Sequence, residues 1–214
     1  MTAPPEVLSR LTQACAVSRE TLERLDHLVG RLQKWSKSIN LVAKADPSEI
    51  WSRHVLDSVQ LFPHHRCGGA VWCDLGSGGG FPGLVVAILG RELTPQQRFV
   101  LVESDRRKAA FLALMASELE LNAQVNAVRA EALFPQTADT VSARALAPLD
   151  QLLGLVNRHM NANGVALLPK GRGHEEEITQ ARRHWAFTVD LIPSILSDQS
   201  RILRVTDLRS SHAT

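Results

Sequence analysis

The chain has 214 residues, 44% apolar and 21% charged, which is enough to bury a full core and excludes disordered and fibrous classes. Its 24 Lys and Arg nearly balance 22 Asp and Glu, for a formal net charge of +2. That balance excludes a binder that holds nucleic acid by bulk charge, while leaving room for a local basic face.

The first elements read as helices. Pro4-Pro5 precede a short amphipathic run with Val7, Leu8, Leu11 and Ala14. Ser18 suits the N-cap of a second helix, with Glu20 in its first turn and Leu22, Leu25, Leu28, Val29, Leu32 and Trp35 at helical spacing. Asp46-Pro47 opens a third, with Glu49 completing a capping-box-like pair and Ile50, Trp51, Val55, Leu56, Val59 and Leu61 as its apolar face. Residues 1–65 are expected to form a helical extension to a compact domain over 66–214.

From Ala70 the pattern alternates. Strands are predicted over Ala70–Asp74, Arg98–Val102, Ala123–Val128, Thr140–Ala143 and Val165–Leu168, separated by helices over Leu84–Leu89, Arg106–Glu120 and Leu149–Met160, the last stopped by Asn161–Gly164. A polar helix over Glu175–His184 and two late strands, Phe187–Ile192 and Ile202–Leu208, complete the chain. Alternation implies an α/β fold with a mostly parallel sheet covered on both faces, and the two late strands imply an antiparallel edge hairpin. Ligands of such sheets lie beyond the carboxyl ends of the strands, near the switch in strand order.

Asp74-Leu75-Gly76-Ser77-Gly78-Gly79-Gly80 follows a predicted strand and precedes a predicted helix, as a nucleotide-type turn requires. A dinucleotide fingerprint fits Gly78, Gly80 and Gly83 only with Pro82 inside the phosphate turn. The alternative takes Gly76, Gly78 and Gly80 with Asp74 before them; an acid there suits a ligand with a cationic amino group, such as the methionine part of S-adenosylmethionine, better than a pyrophosphate. Glu103, just past the second strand, is placed to accept two ribose hydroxyls. Arg129-Ala130-Glu131 follows the third strand, where an adenine ring or plain solvent borders the sheet. Arg144 and Lys170 end neighbouring strands and so flank an incoming substrate or pair with the ligand's carboxylate. Arg53 and Asp57 are an i,i+4 pair that, with His54, either pins the helical segment to the sheet or touches substrate. Arg106, Arg107 and Lys108 form the best local basic run for an RNA backbone, if they are not simply a solvated face.

The whole pattern resembles the RsmG (GidB) family of bacterial 16S ribosomal RNA guanine-N7 methyltransferases. Carrying the likeness are Lys34-Trp35-Ser36-Lys37-Ser38-Ile39-Asn40-Leu41, Asp46-Pro47-Ser48-Glu49, Arg53-His54-Val55-Leu56-Asp57-Ser58, the turn with Phe81-Pro82-Gly83, Ser142-Ala143-Arg144-Ala145 and Leu168-Pro169-Lys170-Gly171. The resemblance implies a Rossmann-like, seven-stranded methyltransferase fold, with S-adenosylmethionine as cofactor and S-adenosylhomocysteine as product. It places cofactor contacts on Gly76, Phe81, Ala130, Glu131 and Arg144, with Gly78 and Glu103 added by topology, and leaves Arg53, His54, Arg106, Arg107, Lys108 and Lys170 as RNA-side candidates.

Guanine N7 carries an exposed lone pair on the major-groove edge, so its methylation loses no proton and calls for no general base. The competing readings are a methyltransferase of the same fold acting on a small molecule or protein, and an NAD-binding Rossmann oxidoreductase. The expected partner is 16S ribosomal RNA or the small subunit, met by a cytoplasmic monomer with no metal and no membrane contact. Cys15, Cys67 and Cys73 form no C-x-x-C pair, no apolar stretch approaches a membrane span, and Met1–Arg10 shows no secretory leader.

Overall fold

The computed structural model describes residues 3–42 and 46–211. Helix α1 (Pro5–Ala14) buries Val7 and Leu11. Helix α2 (Arg19–Ser36) starts where Ser18 accepts a hydrogen bond from the Thr21 amide, and buries Leu25, Leu28, Val29 and Leu32. Asp46 caps α3 (Pro47–Ile50), accepting from the amides of Ser48 and Glu49.

The expected third helix is not continuous. α3 runs into a π turn, Trp51–Val55, before α4 (Leu56–Val59), with the Leu56 amide reaching back five residues to Trp51. All six expected apolar residues are buried, at 2% exposure or less. The extra residue of the wide turn changes the angular spacing on the polar side, a common device near functional sites.

Seven strands form one sheet in the order β3-β2-β1-β4-β5-β7-β6. They are β1 (Val71–Leu75), β2 (Arg98–Val102), β3 (Ala123–Asn126), β4 (Ala138–Ala143), β5 (Met160–Lys170), β6 (Trp185–Pro193) and β7 (Arg201–Ser210). The first five are parallel; β7 is antiparallel to both β5 and β6 and lies between them. The crossovers are α5 (Gly83–Leu93), α6 (Arg106–Glu118) and α7 (Leu149–His159), and α8 (His174–Ala181) precedes β6.

Asn161–Gly164 does not terminate α7 in a loop, as the sequence reading expected; these residues belong to β5. The pairing with β4 shifts there, from Ala138↔Met160 to Thr140↔Val165. A side chain at Gly164 would meet Met160 Cγ at 2.4 Å and the Ala138 carbonyl at 3.0 Å, so the irregular crossing needs glycine.

Strand alternation divides the core. Trp72, Phe99, Leu101, Val165, Leu167 and Ile202 face the side covered by α1, α2, α5 and α6, whereas Cys73, Val100, Val102, Ala166, Leu168 and Leu203 face α7 and α8. The switch in strand order lies between β1 and β4, and the glycine turn opens at that edge.

Candidate functional site

The turn after β1 holds Gly76, Gly78 and Gly80 at φ +69°, +55° and +98°, where L side chains are strained. The amides of Gly76 and Ser77 donate to the Val102 carbonyl at 2.9 and 3.0 Å, fastening the turn to the end of β2. The Gly78 amide donates to Glu103 Oε2 and the Asp105 amide to Oε1, both at 2.8 Å. Glu103 is 8% exposed and thus ties the glycine turn to the start of α6. Each carboxylate oxygen retains a lone pair for a further donor, so the position keeps its capacity to take diol hydroxyls.

Asp74 departs from expectation. It is 1% exposed and lies under the turn rather than facing a ligand. Oδ1 accepts from the Ser142 hydroxyl at 2.6 Å and Oδ2 from the Gly83 amide at 3.1 Å. Trp72 Nε1 donates to the same Ser142 hydroxyl at 2.9 Å, extending the network. A Cβ on Gly83 would stand 2.5 Å from Asp74 Oδ2, so glycine is what lets the amide reach the acid.

Burial raises the Asp74 carboxyl to about 6 from 3.8, against the opposing hydrogen bonds of Ser142, Ser77 and Gly83. The folded state therefore keeps this proton to higher pH than the unfolded chain does. The stability it contributes is complete below pH ~4 and lost as pH rises through ~6, an amplitude of ~3 kcal/mol. Denaturant titrations across that window are expected to show the slope in the wild type and its loss in Asp74→Asn; an unchanged slope contradicts the assignment.

Beside the turn, the rings of Phe81 and His54 stack with centroids 5.1 Å apart, and the Arg144 guanidinium carbon lies 5.4 Å from the Phe81 centroid. Burial, then the charges of Arg144 and Arg53, lower His54 to about 4, so the imidazole is neutral at physiological pH. Its Nδ1 is buried without a hydrogen-bond partner.

The expected Arg53–Asp57 pair is not the one formed. Asp57 Oδ2 accepts from Arg144 Nη1 at 3.2 Å and Oδ1 accepts from Gln60 Nε2 at 2.7 Å. Arg53 lies inside the π turn, Trp51–Val55, and Arg144, just past β4, meets the acid instead. Burial pushes Asp57 up, with Arg144 acting against that. Arg144 Nη1 also donates to the Arg53 carbonyl at 3.4 Å.

These groups border a cavity of about 880 Å³ whose lining includes Arg53, His54, Asp57, Gln60, Arg144 and Lys170. Lys170, at the end of β5, donates to Glu177 at 2.6 Å and to the Ala147 carbonyl at 3.3 Å.

The remaining expected positions lie apart from this wall. Ala130 is buried in a short 3-10 turn and its carbonyl accepts from His159 at 2.9 Å, while Glu131 is exposed. Asp105 caps α6 by accepting from the Arg107 and Lys108 amides; Arg106 and Arg107 are exposed, and none of the three basic residues lines the cavity.

Sequence reasoning missed Gln60, which is 4% exposed. Its amide group donates to Asp57 and to Ser194 Oγ, at 3.2 Å for the latter, and its Oε1 accepts from the Ile195 amide at 2.9 Å. One side chain thereby joins α4's end, the Asp57–Arg144 pair and the β6–β7 loop. A polar residue on an otherwise apolar helical face was the available signal.

A seven-stranded sheet of this order, with a glycine turn after β1, an acid after β2 and a cavity beyond β4 and β5, defines the class of Rossmann-like methyltransferases. Solved structures share the fold: a SAM-dependent methyltransferase from Aquifex aeolicus (TM-score 0.57, 12% identity, covering 83% of this chain and 97% of that one), and also cofactor-bound Rv0187 from MTB (TM-score 0.61, 14% identity, 97% and 99%).

The family model for rRNA small subunit methyltransferase G (GidB) matches residues 21–202, and the chain belongs to that family. A relative from Cereibacter sphaeroides, ribosomal RNA small subunit methyltransferase G, is 49% identical over 192 residues, 90% of this chain and 93% of the relative. Among the described residues, no helix is long and apolar enough to cross a membrane.

Proposed function

We propose that the protein transfers a methyl group from S-adenosylmethionine to N7 of a guanine in 16S ribosomal RNA. Family membership supports ribosomal RNA methylation. The observation that carries the choice of N7 is how the cavity's titratable groups are held, Glu49 of the lining being engaged as well. Asp57 is paired with Arg144, Glu177 with Lys170, and His54 is held to about 4. A nucleophile that must lose a proton is poorly served there, and N7 loses none.

The fit to the methyl donor rests on the glycine turn and Glu103. Three positive-φ glycines let the backbone come close, and Glu103 offers a buried carboxylate at the end of β2. Gly76, Gly78, Phe81, Glu103, Ala130, Glu131 and Arg144 would hold it. When bound, it would supply an electrophilic sulfonium methyl for transfer to the N7 lone pair, the C–S bond breaking and neutral S-adenosylhomocysteine leaving as the base becomes cationic. The chain's residues contribute alignment and electrostatics rather than proton transfer. Phe81, steadied by His54, and Arg144, steadied by Asp57, form the wall between the glycine turn and the cavity. Arg53, His54 and Lys170 border the guanine side, and the paired acids keep that side from becoming strongly positive beside a base that turns cationic. Arg106, Arg107 and Lys108 are retained as a second, more distant basic surface.

In this reading residues 66–214 carry methyl transfer, residues 1–65 supply the substrate-side wall, and the protein acts as a cytoplasmic monomer without a metal. The test is methyl transfer from tritium-labelled S-adenosylmethionine to small-subunit RNA and to subunits. Label in 7-methylguanosine is expected; label confined to protein, small molecules or another nucleotide overturns the reading.

A further inference from the structure

The cavity continues past the residues that border the target side. A second hollow, of about 720 Å³, lies along α1, and Arg10 and Ser52 line both. The two spaces therefore form one trough, running from Arg144 and Lys170 across the π turn to α1.

The cations along this trough differ in how they are held. Arg144 and Lys170 are neutralised by Asp57 and Glu177. Arg201 spends Nη1 on the backbone carbonyls of Asp198 and Ser200, at 2.6 and 2.8 Å. The exposed side chains of Arg10 and Arg53 form no hydrogen bond or ion pair among the described residues. They therefore keep their full donor sets, in a place where concave walls concentrate field. Arg10 is also well anchored, because Val7 (6% exposed) and Leu11 (0%) on the same helix are buried in the core. Glu6, one turn before Arg10, adds an acid to the second hollow. Glu49 likewise lines the first cavity with Arg53, so anion contact rests on the donors that the two guanidinium groups keep free.

We propose that the RNA strand adjoining the target nucleotide leaves the cavity along this trough, its phosphodiesters set against Arg10 and Arg53. This rests on the reading of the protein as a ribosomal RNA methyltransferase and adds to it the path of the substrate backbone. Unpaired guanidinia on a concave wall suit a single strand, whose phosphates come one after another at each nucleotide and whose bases can be splayed apart. The path differs from that over Arg106, Arg107 and Lys108, which lies outside the trough.

The test uses the full chain and labelled small-subunit RNA, with binding measured against salt concentration and turnover measured alongside. Arg10→Gln is expected to reduce the salt slope by about 0.7, the signature of one lost phosphate contact on a single strand. Its KM for RNA rises several-fold, while kcat, the dissociation constant for S-adenosylmethionine and the melting temperature stay as in the wild type. Arg10→Lys is expected to restore the slope, which a purely structural role for Arg10 would not require. Unchanged slope and KM in Arg10→Gln, with the wild type active on RNA, overturn the trough and leave the methyltransferase reading standing. So does a slope lost in Arg106→Gln/Arg107→Gln but kept in Arg10→Gln. A wild type that neither binds nor methylates small-subunit RNA overturns both.

Discussion

Glu103→Ala is expected to raise the dissociation constant for S-adenosylmethionine by about 100-fold while leaving the protein folded. The carboxylate is the proposed acceptor for the ribose hydroxyls, and hydrogen bonds to a charged group contribute ~1.5–3 kcal/mol each, so one or two lost bonds reach that factor. The same substitution leaves the Gly78 and Asp105 amides without their acceptor, which loosens the glycine turn and adds to the loss. Glu103→Gln keeps one carbonyl acceptor and should fall between the two. Calorimetric titration with the cofactor, alongside a melting curve, measures both effects. An unchanged dissociation constant in a folded Glu103→Ala protein removes Glu103 from the site.

Arg144→Ala is expected to lower kcat/KM by ~10²-fold or more, through loss of a fixed charge on the wall between glycine turn and cavity. It should also destabilise the fold. Asp57 keeps only 15% of its side chain exposed and would lose its cationic partner. Breaking a fully buried pair in this way costs ~3–5 kcal/mol, and the residual solvent contact here reduces that to ~1–3 kcal/mol.

The two effects are separable. Adding Asp57→Ala to Arg144→Ala removes the stranded acid, so melting temperature should recover while activity does not. Recovery of both would make the pair a structural strut only. Arg144→Lys is expected to restore little, since a compact ammonium cannot both reach Asp57 and spread a planar charge over Phe81.

The parallel sheet, the edge hairpin and the glycine turn were legible in the chain because each depends on residues close in sequence. Positive-φ glycines after an apolar run mark a turn whatever packs around it, and the end of a strand locates Glu103, Arg144 and Lys170 at one edge. The resemblance in 34–58 and 142–144 located the same wall. The misjudged details are local rules overridden by packing. The i,i+4 pairing of Arg53 with Asp57 presumed an uninterrupted α-helix, and Asp74 was assigned to a ligand on spacing that says nothing of burial.

Partner choice across the fold lay beyond the sequence. Asp57 meets Arg144 from 87 residues away, and Gln60 meets Ser194 from 134. Those meetings depend on β4 lying next to β1, and on β7 inserting between β5 and β6 so that the β6–β7 loop returns over the cavity. Residue spacing encodes which face of an element is apolar. It does not encode which distant polar group fills the last hydrogen-bonding position on the other face, because that is chosen by the joint packing of elements whose separate patterns are compatible with several partners. The near-neutral charge behaves in the same way. Its total of +2 follows from composition, but which acids neutralise Arg144 and Lys170, and which arginines stay unpaired at α1 and the π turn, follows only from the folded arrangement.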